Sequence, residues 1–129
     1  MRILLAEDDT MLLMLYRKYL QGYDVTCCED GGAAFSALLS SDLDQEKYDL
    51  LITDLKMPFR SGNDLIESKF LPEGIFIIVA SGFFTHELRK KFSQNPNLVF
   101  VDKPINWHSF MMRIKEIEQR LEAKKKTQS

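Results

Sequence analysis

Short apolar runs rich in β-branched residues recur along the chain, and segments with helical spacing lie between them. Such runs predict buried strands, and their alternation with helices predicts a parallel sheet covered on both faces. The predicted strands cover residues 3–6, 25–28, 50–53, 75–80 and 98–101. The predicted helices cover residues 10–21, 33–39, 62–70, 85–93 and 107–121. The sequence therefore predicts an α/β domain in which right-handed crossovers bring all five carboxyl strand ends to one edge.

Glycine, proline and polar stretches set the predicted ends of these elements. Gly22 is expected to stop the first helix and Pro72 the third, whereas residues 31–32, both glycine, are expected to break the chain before the second. Residues 40–47 carry no periodicity and predict a surface loop, with a fraying helical end as an alternative for part of it. Residues 124–129 are expected to form a disordered tail after the last helix. That helix carries an apolar stripe of Trp107, Phe110, Met111, Ile114, Ile117 and Leu121.

The composition narrows the class of protein. A chain of 129 residues with 45% hydrophobic and 28% charged residues suits one soluble globular domain. Its formal net charge of -2 gives no electrostatic case for nucleic-acid binding, and no apolar run reaches membrane-spanning length. Cys27 and Cys28 are adjacent and poorly placed to bridge each other, so free thiols in a reducing compartment are expected. These features predict a cytoplasmic protein without direct nucleic-acid or membrane contacts.

Charged and hydroxyl side chains follow four of the predicted strands. The residues after strands one, three, four and five are, in that order, Glu7 with Asp8 and Asp9, then Asp54, Ser81 and Lys103. Carboxylates gathered at one sheet edge repel one another, and a hard divalent cation such as Mg²⁺, or Mn²⁺ in its place, relieves the repulsion. A lysine and a hydroxyl beside such a cation suit phosphate oxygens. Alone, Asp54 would be an ordinary turn residue, but in this setting its carboxylate is the candidate nucleophile of a metal-assisted phosphoryl site.

Four motifs at these strand ends carry a resemblance to a known family. They are residues 3–8, residues 53–58 together with Gly62, residues 79–82, and Lys103 with Pro104. In this order they resemble the receiver domain of two-component response regulators, and the match covers residues 2–121. The resemblance implies a flavodoxin-like, doubly wound sheet of five parallel strands in the order 2-1-3-4-5, flanked by five helices. It also implies that residues 1–123 form the receiver domain.

The resemblance assigns roles in phosphoryl transfer and metal binding. Asp54 would accept the phosphoryl group of a phosphohistidine, and Lys103 would pair with the phosphate. Asp8 would bind Mg²⁺ directly together with Asp54, and the backbone carbonyl of Lys56 would complete the protein ligands. Glu7 would act on the metal through a water molecule.

A switch is implied as well. Ser81 would turn its hydroxyl to the phosphate, and Phe100, the aromatic switch residue, would fill the space that Ser81 leaves.

Two further positions have alternative roles. Asp9 is either a further metal ligand or the cap of the first helix. Phe83 and Phe84 directly follow residues 81–82. Either at least one of them packs under the following loop, or Phe83, opposite Lys56, shields the acyl phosphate from water.

The expected function is that of a phospho-accepting signalling domain and not of a metabolic enzyme, although it would catalyse its own phosphorylation and dephosphorylation. The expected partners are a histidine kinase or histidine phosphotransfer protein and a downstream protein target, with a phosphorylation-dependent dimer as a further option. Two alternatives to a stand-alone receiver stay open. One is a receiver fragment of a longer protein, and the other is an Mg²⁺-dependent phosphohydrolase with an aspartate nucleophile. That enzyme class places its nucleophile after the first strand in an Asp-x-Asp pattern, which residues 7–9 do not supply.

Overall fold

Strands and helices alternate along the chain in this computed structural model, which describes residues 1–128. The strands are β1 (Arg2–Ala6), β2 (Asp24–Cys28), β3 (Leu50–Thr53), β4 (Phe76–Ser81) and β5 (Leu98–Asp102). The helices are α1 (Thr10–Tyr19), α2 (Gly31–Asp44), α3 (Gly62–Ile66), α4 (His86–Phe92) and α5 (Trp107–Gln128). All strand pairs are parallel, and the sheet order is β2-β1-β3-β4-β5. The predicted fold class and strand order are confirmed.

Each face of the sheet has its own hydrophobic core. Leu51 belongs to the core that α2, α3 and α4 cover, and its neighbour Ile52 belongs to the core that α1 and α5 cover. Successive strand residues point to opposite faces, so a sheet with two cores needs apolar residues at nearly every position of its central strands. The stripe predicted on the last helix is confirmed, because Phe110, Ile114 and Ile117 are buried in the second core.

The break expected at residues 31–32 is wrong, because α2 begins there. Asp30 caps the helix, and its carboxylate accepts a hydrogen bond of 2.7 Å from the backbone N–H of Ala33. A Cβ on Gly31 would lie 1.7 Å from the backbone oxygen of Arg60. This glycine therefore serves the close approach of the loop after β3 to the start of α2.

The loop expected at residues 40–47 begins only after Asp44, since α2 continues to that residue and the helical alternative holds for residues 40–44. Ser41 is buried in the helix, and its hydroxyl donates a hydrogen bond of 2.9 Å to the carbonyl of Leu38. Satisfied in this way, the hydroxyl costs little to bury. The helix ends where Gln45 adopts a left-handed conformation with φ 60°.

In contrast, α3 ends earlier than the sequence predicted, at Ile66 instead of residue 70. The hydroxyl of Ser68 accepts a hydrogen bond of 3.1 Å from the backbone N–H of Phe70. A serine side chain offers the backbone a partner that competes with the helical one. Phe70 still packs against the core that α3 covers.

Helix α5 extends through residues 124–128, where the sequence predicted a disordered tail. Alanine and lysine favour helix strongly, and cations in the last turn interact favourably with the helix dipole. Ser129 lies outside the described residues. Although α5 has 22 residues, no helix in the described part of the chain is long and apolar enough to cross a membrane.

Candidate functional site

The predicted site residues lie together at the carboxyl edge of the sheet. Parallel pairing sets the level of each strand: Ala6 pairs with Thr53, and Thr53 pairs with Val79. The residues that directly follow β1 and β3 therefore lie at the same level along the strand direction. The peptide bond between Lys103 and Pro104, just after β5, is cis.

Lys103 joins two of the predicted carboxylates. Its ammonium donates hydrogen bonds of 2.8 Å to Oε1 of Glu7 and 2.7 Å to Oδ2 of Asp54. The Glu7 side chain is buried, and only 13% of the Asp54 side chain is exposed. Charged hydrogen bonds shielded from water in this way are stronger than surface ion pairs. The three side chains therefore form one rigid charged unit.

Backbone contacts fix the Asp54 carboxylate on its other side. Its Oδ1 accepts a hydrogen bond of 2.6 Å from the N–H of Leu55, and its own N–H donates to the carbonyl of Ala6 at 3.2 Å. The loop then returns, and the N–H of Gly62 donates to the carbonyl of Leu55 at 2.9 Å. A Cβ on Gly62 would lie 2.1 Å from the Asp54 carbonyl oxygen. Only glycine permits this return, which holds the loop against the end of β3.

Burial and pairing act in opposite directions on the two buried charges. Burial raises the pKa of the Glu7 carboxyl, and the hydrogen bond from Lys103 offsets this only in part. Burial lowers the pKa of Lys103, but the hydrogen bonds to Asp54 and Glu7 and the attraction of their charges together outweigh burial and raise that pKa overall. Lys103 is therefore protonated and positively charged in the folded protein. Burying the negative charge of Glu7 still costs free energy, because the hydrogen bond from Lys103 does not fully compensate for the loss of water.

Three carboxylates at this edge are placed to share a cation. Each of Glu7, Asp8 and Asp54 offers an oxygen, and these oxygens lie within 4.8 Å of one another. Three formal negative charges against the one positive charge of Lys103 leave the group at minus two. Hard oxygen ligands with this charge fit Mg²⁺ or Mn²⁺.

Asp9 lies outside that group and caps α1. Its carboxylate accepts hydrogen bonds of 3.0 Å from the N–H of Met11 and 3.2 Å from the N–H of Leu12. Its own N–H donates to Oε2 of Glu7 at 3.1 Å. Of its two expected roles, the cap accounts for the position of the side chain.

Ser81 is buried, and its hydroxyl is engaged by its own loop. It donates a hydrogen bond of 3.2 Å to the carbonyl of Phe83 and accepts one of 3.3 Å from the N–H of the same residue. The Ser81 carbonyl accepts a hydrogen bond of 3.0 Å from the N–H of Lys103. The serine is thus beside the site with its hydroxyl turned toward the loop.

A cavity of about 540 Å³ opens beside Asp54. Its walls come from the ends of β3 and β4, from α3, and from the start of α4. The lining residues are Asp54, Leu55, Lys56, Asn63, Ser81, Gly82, Phe83, Thr85 and Leu88. The sequence did not single out Asn63 or Leu88 for the site, because they reach it only through the packing of α3 and α4. Thr85 lines the cavity and also caps α4.

The two phenylalanines after Ser81 differ in environment. Phe83 is 69% exposed at the rim of the cavity. Phe84 packs edge to face on Phe100, with ring centroids 4.7 Å apart. Phe100 is half-buried, contacts Phe92 at 6.2 Å between centroids, and does not line the cavity.

Comparison with known proteins agrees with this arrangement. The family model for the response regulator receiver domain matches residues 3–115. The transcriptional regulatory protein RprY of Bacteroides fragilis is 32% identical over 133 aligned positions, which cover 100% of this chain. The chain spans about half the length of that curated relative, 54%.

Solved structures show the same similarity. The response regulator receiver domain protein (CheY-like) from Methanospirillum hungatei JF-1 is 27% identical, with a TM-score of 0.76 over 95% of this chain and 97% of that one. The receiver domain of the hybrid histidine kinase CckA is 25% identical, with a TM-score of 0.70 over 91% and 98% of the two chains. The fold is therefore shared with these receiver domains.

Proposed function

This chain belongs to the response regulator receiver family, and on that premise we propose that Asp54 accepts a phosphoryl group and changes the binding surface of the domain. Receivers are signalling domains that pair with histidine kinases and downstream effectors, and the family assignment replaces the phosphohydrolase alternative. The observation that carries the proposal is the position of Lys103, which hydrogen-bonds Asp54 and Glu7 beside a group of three carboxylates.

Transfer would begin with an Asp54 oxygen attacking the phosphorus of a phosphohistidine. The P–N bond breaks, its electron pair returns to the histidine ring, and an acyl phosphate forms. Such transfer depends mainly on in-line placement and on neutralising charge. A bound Mg²⁺ or Mn²⁺ would supply much of that neutralisation, held by Asp8, Asp54 and the Lys56 carbonyl, with Glu7 acting through water. The same residues would let the domain catalyse its own phosphorylation and dephosphorylation.

Lys103 would supply the remaining positive charge. Its ammonium already lies 2.7 Å from Oδ2 of Asp54, so a phosphoryl oxygen on that carboxylate comes within its reach. Pairing with the phosphate competes with its bond to Glu7. We infer that Lys103 exchanges partners without leaving the site, which keeps the cost of the step low.

Ser81 and Phe100 would report the new charge. To reach a phosphoryl oxygen, the Ser81 hydroxyl gives up its two bonds to Phe83, and the loop after β4 moves with it. Phe100 packs on Phe84 from that loop, so it is coupled to the movement. The surface formed by α4, β5 and α5 would then change in shape, which is how a local charge reaches a partner.

Metal removal tests this proposal directly. Wild-type protein incubated with acetyl phosphate and Mg²⁺ is expected to gain one phosphoryl group in its intact mass. With EDTA in place of Mg²⁺, the modified fraction should fall by roughly tenfold or more, because neutralisation by the cation is lost. Wild type that stays unmodified at every metal and donor concentration would contradict the proposal.

Phe83 is proposed to shield the acyl phosphate from water, with Lys56 on the other side of the cavity mouth. Phe83→Ala is then expected to shorten the half-life of the phosphorylated protein by roughly threefold, since water reaches the phosphorus more easily. Decay of the phosphorylated mass after donor removal measures this. Leu43→Ala removes a side chain that is similarly exposed, at 72%, but lies on α2, and should leave the half-life unchanged. Equal half-lives for Phe83→Ala and wild type would remove this role.

Partner binding is proposed at two surfaces. Residues 11–15 on α1 are all apolar, and three of them, Met11, Met14 and Leu15, are 76%, 67% and 42% exposed. These three would contact a histidine kinase or phosphotransfer protein. The surface of α4, β5 and α5 would bind a downstream protein target or a second phosphorylated copy. A cytoplasmic location goes with such partners, and no role in direct nucleic-acid binding is proposed.

A further inference from the structure

Arg89 on α4 holds together an aromatic cluster next to the proposed switch. Its guanidinium carbon lies 4.8 Å from the ring centroid of Phe84 and 5.5 Å from that of Phe100. One guanidinium nitrogen lies 3.4 Å from Oδ1 of Asp102. Phe84 and Phe100 themselves meet edge to face. We call these four residues the Arg89 cluster, and it ties the loop after β4 to α4 and β5.

The cluster contacts both parts that would move on phosphorylation. Phe84 belongs to the loop whose backbone at Phe83 engages the Ser81 hydroxyl twice. Withdrawing that hydroxyl toward a phosphoryl group breaks both bonds and displaces the segment that carries Phe84. Phe100 is the aromatic residue that would follow. Arg89 therefore stacks on the two rings whose present positions phosphorylation would disturb.

We propose that Arg89 is a positioning residue that stabilises the arrangement seen here and thereby weakens the binding of a phosphoryl group at Asp54. The inference rests on the proposed function of that carboxylate. A contact present in only one of two states shifts the equilibrium by the free energy it supplies to that state. Two cation–π contacts, both with half-buried rings, are enough to shift it measurably.

The sign of the effect separates this role from simple electrostatics. Arg89 is a cation, and as a charge alone it would attract an anionic phosphoryl group at the sheet edge. Removing it would then weaken phosphoryl binding. The Arg89 cluster predicts the opposite, because its loss frees Phe84 and Phe100 to move.

Binding of beryllofluoride, which forms a non-covalent mimic of the acyl phosphate, measures this equilibrium without turnover. In the presence of Mg²⁺, Arg89→Met is expected to bind beryllofluoride roughly fivefold more tightly than wild type, a difference of about 1 kcal/mol. Methionine keeps an apolar stem but has neither charge nor planar group. Fluorine NMR of the bound species gives the affinity. Arg89→Lys keeps the charge without the planar stacking and should fall between the two.

Arg120→Met is the charge-matched control. Arg120 hydrogen-bonds Glu116 at 2.9 Å on α5 and is not among the residues of the Arg89 cluster. This variant should bind beryllofluoride as wild type does or slightly less tightly. Urea unfolding of all variants shows that each is folded in the titration.

The possible outcomes distinguish failure of the role of Arg89 from failure of the role of Asp54. Wild type that binds beryllofluoride, with Arg89→Met binding equally or more weakly, overturns the role of Arg89 and leaves the role of Asp54 intact. Tighter binding by Arg120→Met to the same degree also overturns it, since the effect would then follow from charge anywhere on the surface. Wild type that fails to bind beryllofluoride overturns both proposals.

Discussion

Replacement of Asp54 by alanine is expected to abolish phosphorylation by acetyl phosphate, reducing its rate by roughly a thousandfold or more. The variant lacks the oxygen that attacks phosphorus. Lys103, Glu7 and Asp8 keep their charges in this variant, but the carboxylate that would accept the phosphoryl group is gone. Intact mass after incubation with acetyl phosphate and Mg²⁺ reads out the loss as the absence of the phosphorylated species.

Asp64→Asn provides a matched control for loss of a carboxylate. Asp64 belongs to the capping box of α3, where its Oδ2 accepts a hydrogen bond of 3.0 Å from the N–H of Ser61. It lies near the phosphorylation loop in sequence but is not one of the carboxylates grouped at the sheet edge. The control should be phosphorylated as wild type is. A phosphorylated Asp54→Ala would show that a different carboxylate, with Asp8 first in line, is the acceptor.

The residues of the site could be predicted because parallel strands end at one edge. Each apolar run ended at a polar residue, and the alternation of strands and helices placed those residues side by side. The structure brings four of these residues to the carboxyl edge of the sheet, namely Glu7, Asp54, Ser81 and Lys103. Local patterning reaches this far because strand ends are fixed by hydrophobic periodicity, a property of neighbouring residues.

Residues that reach the site through packing between helices were not predictable in this way. Leu88 and Asn63 line the cavity from α4 and α3, and Arg89 stacks on rings from two other elements. Asn63 and Leu88 are far apart in sequence, and Phe84, although near Arg89 along the chain, lies in the loop before α4, so no helical repeat predicts these contacts.

The prediction at Gly31 is a different kind of error. Glycine is typical of chain breaks, so a break was predicted there, but this glycine begins α2 and allows close contact with the Arg60 backbone.

Loss of Lys103 should destabilise the fold when metal is absent. In Lys103→Met the buried Glu7 carboxylate loses its cationic partner, and breaking such a pair costs about 3 kcal/mol. Urea unfolding in EDTA near neutral pH measures the difference. As a control, Lys91→Met removes an ion pair with Glu67 whose side chains are both about half exposed, and it should cost less than about 1 kcal/mol.

The destabilisation of Lys103→Met should depend on pH with a definite sign. Burial already raises the folded-state pKa of Glu7, and loss of the Lys103 hydrogen bond raises it further. A carboxyl whose pKa is higher in the folded than in the unfolded state weakens the fold above the folded pKa, and this penalty disappears as pH falls and the group is protonated. The gap between wild type and Lys103→Met should therefore narrow from about pH 7 to about pH 5.

The double variant Glu7→Gln/Lys103→Met isolates the cause. Glutamine keeps the shape of Glu7 and can still accept the hydrogen bond from the Asp9 backbone, but it carries no charge to bury. If the unpaired carboxylate is what destabilises Lys103→Met, the double variant should recover most of the lost stability and lose the pH dependence. A double variant as unstable as Lys103→Met at every pH would assign the cost to the Asp54 carboxylate, which also loses its partner, or to lost packing of the lysine stem. In that outcome, the negative charge of Glu7 would not be the reason why the fold needs a cation at this edge of the sheet.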